Sequence, residues 1–412
     1  MIQTKTTSKY LHLFLFIFLN SEIAYGGVQG NPYLALVRKF ILVLAIFYTI
    51  VNIALIPMYL RVVATMMALF ILYLVVESVD LYGASIETMS FISQMLYPTI
   101  VVGSFVACRS IHNFKFDKIV SAILVLFLFN QLILGNIFNH QFNSEIRSTT
   151  AGETYYLVIP LLYFYNLFLL KNERKYFIYF ILTFAFIILL FHRTVWITSS
   201  ISILINTLII RKYNSINFSK LTLYLVPSVA IIVIATILFV LNSPKVLLSI
   251  SDSFNDIQNA NSQGTGGWRS EQRDHYLELV ADHPILGWTI DGYDKGEVMT
   301  TEDSDWLDKK GNFIHSGYVN ALYNFGIVGL FMQYSLLLFI NILLVRHSDK
   351  SNPVDLCLLI FSLSGWIFSW SYQLPEFFWG FMGIALFIGL QRKYTMRYLN
   401  FNPIRHKVLE SF

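Results

Sequence analysis

The stretch "IHSGYVNALYNFGIVGL", residues 314–330, has a histidine at its second position, and a mostly apolar run follows. The apolar residues continue to about residue 345, which is long enough for one helix to cross a bilayer. Gly326 and Gly329 lie within this run, and small residues allow a membrane helix to pack closely on its neighbour. The stretch therefore predicts a membrane helix with His315 at its mouth.

The composition of the whole chain extends this prediction to most of its length. Of its 412 residues, 56% are hydrophobic and 13% are charged, whereas soluble domains carry about 25% charged residues. The apolar stretches are continuous rather than alternating, which disfavours a β-barrel. We expect an all-α polytopic membrane protein with about twelve transmembrane helices, near residues 10–25, 34–57, 60–76, 89–107, 118–138, 154–170, 175–191, 194–210, 221–241, 317–345, 354–372 and 374–391.

Lysine and arginine, which accumulate on the cytoplasmic side of membrane proteins, predict the orientation. With the N-terminus inside, 19 of the 29 basic residues fall on the cytoplasmic side, and both termini are cytoplasmic. The first apolar stretch also resembles a signal peptide, but the charge pattern fits a chain that retains it.

Residues 243–316, between the predicted helices 9 and 10, then face outward and hold 13 acidic but only six basic residues. This segment is too long for a simple connector, and we expect it to form an extracytoplasmic loop subdomain. We predict N-terminal transmembrane helices over 1–180, a core that includes this loop over 181–346, and C-terminal helices with a cytoplasmic tail over 347–412.

The few basic residues predicted on the outer face are candidates for binding an anion. Arg193 lies in "LLFHRTVWI", in a turn of two or three residues between two spans. Its guanidinium either snorkels to lipid headgroups or clamps a lipid-linked phosphate through its planar fork of donors. Arg38 and Arg147 are second-rank candidates of the same kind.

A second candidate lies in "GTGGWRSEQRDHYLELVADHPILGW", residues 264–288. The spacing predicts a short helix from Ser270 that stops before Pro284, with a glycine-rich approach in front of it. Arg269 would then lie at the helix N-terminus, where free N–H groups favour an anion. Arg273, one turn later, would lie on the same side. The alternative is a surface helix with solvated arginines.

His315 is the candidate general base, because neutral imidazole accepts a proton near pH 7. On the residues alone, a lone histidine at such a place is more often structural. We find no metal-ligand spacing around any other histidine, cysteine or carboxylate, and no nucleotide motif. The two cysteines, Cys108 and Cys357, indicate no disulfide framework.

Three motifs, taken in order, resemble the core of the O-antigen ligase and O-antigen polymerase family over residues 185–345. "FHRTVWI" is similar to a Ser-Arg-Gly stretch that opens a transmembrane helix, and "WRSEQRDHYLELVADHPILGW" to an arginine, a helix and then Pro-x-x-Gly. "HSGYVNALYNFGIVGLF" is similar to a His-Asn-x-Tyr stretch followed by Gly-x-x-Gly, which makes Tyr318 a second-rank site residue. The departures from the family pattern are His192, Thr194, Ser316 and the pair Trp288-Thr289.

The resemblance implies a metal-independent, cofactor-free glycosyltransferase of GT-C type in the bacterial inner membrane, with its active site facing outward. Its substrates would be an undecaprenyl-diphosphate-linked oligosaccharide and a glycan acceptor. Arg193 and Arg269 would hold the diphosphate, with Arg273 beside them, and His315 would act near the acceptor hydroxyl.

The sequence leaves three functions open. We favour a polymerase of lipid-linked repeat units for a surface polysaccharide, working with a flippase and a chain-length regulator and without nucleic acid. The outward loop is acidic, with a charge of about −7, and shows no basic face for phosphorylated lipid A-core. A ligase that transfers the glycan to lipid A-core is the first alternative. A polysaccharide transporter or flippase is the more distant one, because the predicted spans hold almost no charged residues at mid-depth.

Overall fold

The computed structural model describes residues 51–83, 100–109, 111, 115–133, 149–190, 192–214, 264–291 and 314–401, with isolated residues at 13, 43, 47, 48 and 50. Every regular element in these ranges is helical, and no strand occurs in them. After a short 3-10 turn at Ile53–Leu55, the helices are α1 Met58–Tyr82, α2 Ile100–Arg109, α3 Phe116–Ile133, α4 Ala151–Tyr155, α5 Val158–Lys171, α6 Arg174–Leu189, α7 Arg193–Tyr213, α8 Gly264–Val280, α9 Gly317–His347, α10 Pro353–Phe368 and α11 Glu376–Phe401.

The all-helical class is confirmed for the described part of the chain. Four helices there are long and apolar enough to cross a membrane, with α4 and α5 counted together: Met58–Leu81, Ala151–Lys171, Arg193–Tyr213 and Gly317–His347. α2 and α10 are shorter apolar helices. The predicted spans near 10–25, 34–57, 89–107 and 221–241 lie wholly or largely outside the described residues, so the number of twelve stays a prediction.

The share of buried residues differs between the helix at the centre of the bundle and the helix at its edge. The span formed by α4 and α5 is 94% buried inside the protein, whereas that of α1 is only 22% buried. α5 packs against α6 and α10, and α10 also packs against α7 and α11. Aromatic rings fill the centre, where Tyr155 stacks on Phe368 with ring centroids 4.1 Å apart. α1 therefore lies at the edge of the described bundle, with most of its apolar surface exposed.

The buried face of α7 is polar, and its polar groups join three helices. Thr198, Ser199 and Ser202 are fully or almost fully buried, and their small side chains allow close packing. Asn206 Nδ2 donates to Asn166 Oδ1 on α5 at 2.6 Å. The amide of Asn166 in turn donates to the carbonyl oxygen of Pro353 at the start of α10, at 3.3 Å.

Segments predicted on the same side of the membrane lie together in the structure. At one end, Arg109 Nη1 donates to the carbonyl oxygen of Leu55 at 2.5 Å, and Asn214 Nδ2 donates to that of Lys350 at 3.0 Å. All four residues belong to loops or helix ends predicted to be cytoplasmic. The assignment of this end to the cytoplasm is the prediction made from the basic residues.

The helix α9 is broken at Gly326, and the loop that follows α8 enters the break. Gly326 has φ 62° and ψ −164°, a conformation open in practice only to glycine. Loop 284–289 lies so close that a Cβ atom on Gly326 would collide with the carbonyl of Ile285. The sequence predicted that Gly326 allows this helix to pack closely on another helix. In the structure, the residues packed against Gly326 belong to loop 284–289 instead.

Four backbone hydrogen bonds join this loop to the two halves of α9. The amides of Ile327 and Val328 donate to the carbonyl oxygens of Pro284 and Ile285, at 2.9 and 3.1 Å. The loop amides of Trp288 and Thr289 donate to carbonyl oxygens of Tyr323 and Asn324, at 2.8 and 3.0 Å. The loop thus takes the place of helical partners that the break removes.

Thr289 ties the same loop to α1. Its φ of 48° is in the left-handed region, which favours glycine. Its hydroxyl donates to Glu77 Oε1 at 2.5 Å. The hydrogen bond helps to hold a threonine in a conformation that threonine rarely adopts, and it gives the carboxylate of a membrane helix a polar partner.

We predict that Gly326→Ala destabilises the protein by several kcal/mol more than Gly83→Ala. Both glycines have nearly the same backbone conformation, with φ 69° and ψ −172° at Gly83, so both substitutions carry a similar strain of about 1–3 kcal/mol. No described atom lies within 4 Å of the Cβ position at Gly83, so only Gly326→Ala also expels the loop. Thermal unfolding of the purified variants in detergent measures the difference, and equal losses would show that the loop contact contributes nothing.

Candidate active site

The helix α8 carries two of the predicted arginines but begins earlier than predicted. It starts at Gly264, so the glycines expected to form a loop lie in its first turn, and Arg269 lies inside the helix. The prediction that Arg269 occupies the helix N-terminus is therefore wrong. Most helix stability in proteins comes from tertiary packing rather than from residue propensity, so the glycines, which are weak helix formers, can still lie within α8. The predicted stop before Pro284 is correct, since α8 ends at Val280.

The position of α8 is set by an apolar contact with the first half of α9. Tyr276 is fully buried, and its ring meets that of Tyr323 edge to face at 4.8 Å between centroids. Ile314 and Val319 complete the cluster, and Trp288 Nε1 donates to the carbonyl oxygen of Leu279 at 2.9 Å. These contacts fix which residues of α8 meet the rest of the bundle.

Arg269 is held by an aromatic ring rather than by a carboxylate. Its Nη2 donates to the hydroxyl of Tyr372 at 2.7 Å, and its guanidinium carbon lies 4.8 Å from the centroid of that ring. Among the described residues, no carboxylate pairs with Arg269, and its Nε is buried without a hydrogen-bond partner. The side chain is thus a cation with a donor to spare, which suits an anionic ligand.

His315 lies beside the same tyrosine. It directly precedes Ser316, whose side chain caps the N-terminus of α9, and this gives the serine that replaces the family's asparagine a structural role. The backbone amide of His315 donates to Gln272 Oε1 at 3.2 Å, and its ring centroid lies 5.9 Å from that of Tyr372. Tyr372 thus contacts both Arg269 and His315, so the structure brings these two predicted residues together.

Tyr372 belongs to loop 369–375 between α10 and α11, which the sequence did not predict to be part of the site. The amide of Gly317 donates to the carbonyl oxygen of Ser369 at 2.9 Å. A Cβ atom on Gly317 would meet the carbonyl oxygen of Tyr372 at 2.8 Å, so only a glycine allows this approach. The available signal was the polar interruption "SWSYQLPE" between two apolar runs.

Arg273 lies one turn beyond Arg269 and meets the same loop. Its guanidinium carbon is 5.5 Å from the ring centroid of Trp370. It also donates from Nη2 to Ser270 Oγ at 2.9 Å, and its Nε lies 3.2 Å from Asp274 Oδ1. Its charge is therefore partly compensated, unlike that of Arg269.

Arg193 is the first residue of α7, and a three-residue turn separates it from the end of α6 at Leu189. This is the predicted short turn. The preceding His192 is buried, and its Nε2 lies 2.7 Å from the carbonyl oxygen of Thr149 and 3.2 Å from Thr149 Oγ1. The turn that bears Arg193 is thereby fixed to the segment that leads into α4.

A series of contacts connects this turn to the tyrosine of the site. Thr149 Oγ1 lies 3.0 Å from Thr154 Oγ1. The neighbouring Tyr155 stacks on Phe368, and the ring of Phe368 stacks on Tyr372 at 5.5 Å between centroids. Arg193 therefore lies at the same end of the bundle as Arg269 and His315.

Of the three second-rank residues, only Tyr318 is among the described residues. Tyr318 donates its hydroxyl to the carbonyl oxygen of Trp366 at 2.7 Å, and its ring lies 4.8 Å from that of Tyr334. These contacts join α9 to α10 next to the site. Arg38 and Arg147 lie outside the described residues.

Comparison with known proteins supports the family resemblance. The O-antigen ligase family model matches residues 178–334, a little over a third of the chain. The match includes α7, α8 and the first half of α9, and with them Arg193, Arg269 and His315. The resemblance that the motifs indicate is thus confirmed for this part of the chain. No curated protein matches the sequence.

Proposed function

We propose that this protein is an inner-membrane glycosyltransferase of the O-antigen ligase and polymerase type, and that it polymerises undecaprenyl-diphosphate-linked repeat units of a surface polysaccharide on the outer face. The observation that carries the proposal is the contact of Tyr372 with both Arg269 and His315, two residues that lie in the region that the family model matches. Arg269 has no carboxylate partner among the described residues, so its charge can stabilise an anion, and the imidazole of His315, which contacts the same tyrosine, can accept a proton. Glycan transfer from a lipid diphosphate uses both functions.

The donor is proposed to bind through its diphosphate. As transfer proceeds, the bond between the anomeric carbon and the phosphate oxygen breaks, and negative charge grows on the departing lipid diphosphate. Arg269, whose guanidinium Tyr372 holds in place, stabilises this charge, and Arg193 adds a second cation at the same end of the bundle. The reaction needs neither a metal ion nor a nucleotide cofactor, because the leaving group is already activated.

The acceptor is proposed to lose its proton to His315. The hydroxyl oxygen of the acceptor forms the new bond to the anomeric carbon, and the neutral imidazole takes its proton. The half-buried position of His315, with its backbone amide fixed by Gln272, gives the ring a defined place at the mouth of α9.

A deletion strain distinguishes polymerase from ligase. If the protein polymerises repeat units, the deletion leaves surface glycans with a single repeat unit on the core, and the cloned gene restores long chains. Free carrier-linked polymer together with bare core would identify a ligase instead. Loss of all outer-face repeat units, with accumulation on the cytoplasmic side, would point to a flippase. Gel profiles of the extracted glycans are the measurement.

Substitution of Arg269 tests the diphosphate site. Arg269→Ala should lower product formation about 10²-fold at normal protein level, because a donor to the developing anion is lost. Arg269→Lys should also be poor, since lysine lacks the bidentate fork, and Arg193→Ala should show a similar loss. Tyr372→Phe keeps the ring but removes the hydroxyl, so a smaller loss is expected.

The matched control is Arg211→Lys, at the exposed far end of α7, which should leave product unchanged. The assay is turnover of purified carrier-linked donor in nanodiscs. Full activity of Arg269→Lys would rule out a shaped clamp for the diphosphate.

The pH dependence tests His315 as the base. Turnover should fall as the solution becomes more acidic, because a protonated imidazole can no longer accept the proton of the acceptor hydroxyl. His315→Ala and His315→Gln should be slower by about 10²–10⁴-fold and should lack this acid limb, while donor binding stays intact. Near-normal turnover of His315→Gln would make His315 an orienting residue and leave the base to be found elsewhere.

A further inference from the structure

A cavity of about 630 Å³ lies at the end of the bundle opposite His315. The segments that line it are the start of α3, the start of α10 and the stretch of α11 around residue 391, and all three are predicted to lie at the cytoplasmic side. Its inner wall is apolar, with Phe116, Phe387 and Ile388. Its polar lining includes Lys115, Gln391 and Arg392. A cavity with an apolar wall and a cationic lining fits an amphiphile better than a fully hydrated solute.

The two cations of the cavity are arranged differently. Arg392 donates from Nε and Nη2 to the two carboxylate oxygens of Asp355, at 2.9 and 3.2 Å, and this pairing fixes the guanidinium while sharing its charge. Its Nη1 has no hydrogen-bond partner among the described residues. Lys115 is exposed, and no carboxylate in the described part of the chain pairs with it. With Asp355 counted, the lining carries a net charge of +1.

We propose that this cavity binds the phosphate group of an anionic phospholipid of the cytoplasmic leaflet. Lys115 and Nη1 of Arg392 bind the phosphate oxygens, Gln391 adds an amide donor, and the phenylalanine wall receives the upper part of the acyl chains. Basic pockets between membrane helices on the cytoplasmic side commonly bind anionic headgroups. This site is separate from the proposed glycan site, and the proposal holds whether or not the protein is a glycosyltransferase.

The test measures lipid binding to the purified full-length protein by native mass spectrometry in a non-ionic detergent. The probes are dioleoyl phosphatidylglycerol, dioleoyl phosphatidylcholine and inorganic phosphate. Phosphatidylglycerol should bind more tightly than phosphatidylcholine. Lys115→Gln should weaken phosphatidylglycerol binding roughly fivefold, which corresponds to about 1 kcal/mol for one basic residue at an anionic lipid surface. Gln391→Glu should weaken it at least as much.

Both altered side chains are exposed, so neither substitution disturbs the packing of the bundle. The matched control is Lys212→Gln, an exposed lysine at the predicted cytoplasmic end of α7 that does not line the cavity, and it should bind phosphatidylglycerol like the wild type. Unchanged binding in Lys115→Gln and Gln391→Glu, or an equal loss in Lys212→Gln, would overturn the proposal. Binding of inorganic phosphate without preference for phosphatidylglycerol would overturn the assignment to a lipid.

Discussion

At Gly326 the helix α9 leaves helical geometry, and the amides that lose their partners there donate to carbonyls of loop 284–289. Inside a bilayer, unpaired backbone groups cost several kcal/mol each, so the break is tolerated only where protein fills it. The loop follows directly on α8, and α8 carries Arg269. The two halves of α9 and the loop that follows α8 therefore stabilise each other, and their pairing determines where Arg269 lies relative to His315, which precedes α9.

The site is completed by a third segment that is distant in sequence. Loop 369–375 approaches the start of α9 at Gly317, and it brings Tyr372 between Arg269 and His315. The tyrosine ring also rests on Phe368 in the aromatic centre of the bundle. Stacked aromatic rings thus connect the centre of the bundle to the end that carries the two proposed functional side chains, and this packing supports them.

Hydrophobic runs and charges predicted the helices well where each helix is a continuous apolar segment, as in α6, α7 and α10. They did not predict the break in α9, because the sequence there reads as a mostly apolar run and the cause is a loop some forty residues earlier. His315 and Arg269 could be named from motifs, but the start of α8 could not, since its glycine-rich first turn reads as a loop. Tyr372 was missed because 16% of the residues are aromatic, so one more tyrosine carries no signal without its contacts.

Arg269 and Arg392 lie at opposite ends of the bundle, and the side chains that hold their guanidinium groups differ. Arg392 faces the carboxylate of Asp355, so most of its charge is compensated, and the phosphate in the proposed lipid site depends mainly on Lys115. Arg269 faces the ring and hydroxyl of Tyr372, which orient the guanidinium but cancel little of its charge. An aromatic support is therefore a means of fixing an arginine while its charge stays available, and this is what a site must do if the negative charge belongs to the ligand.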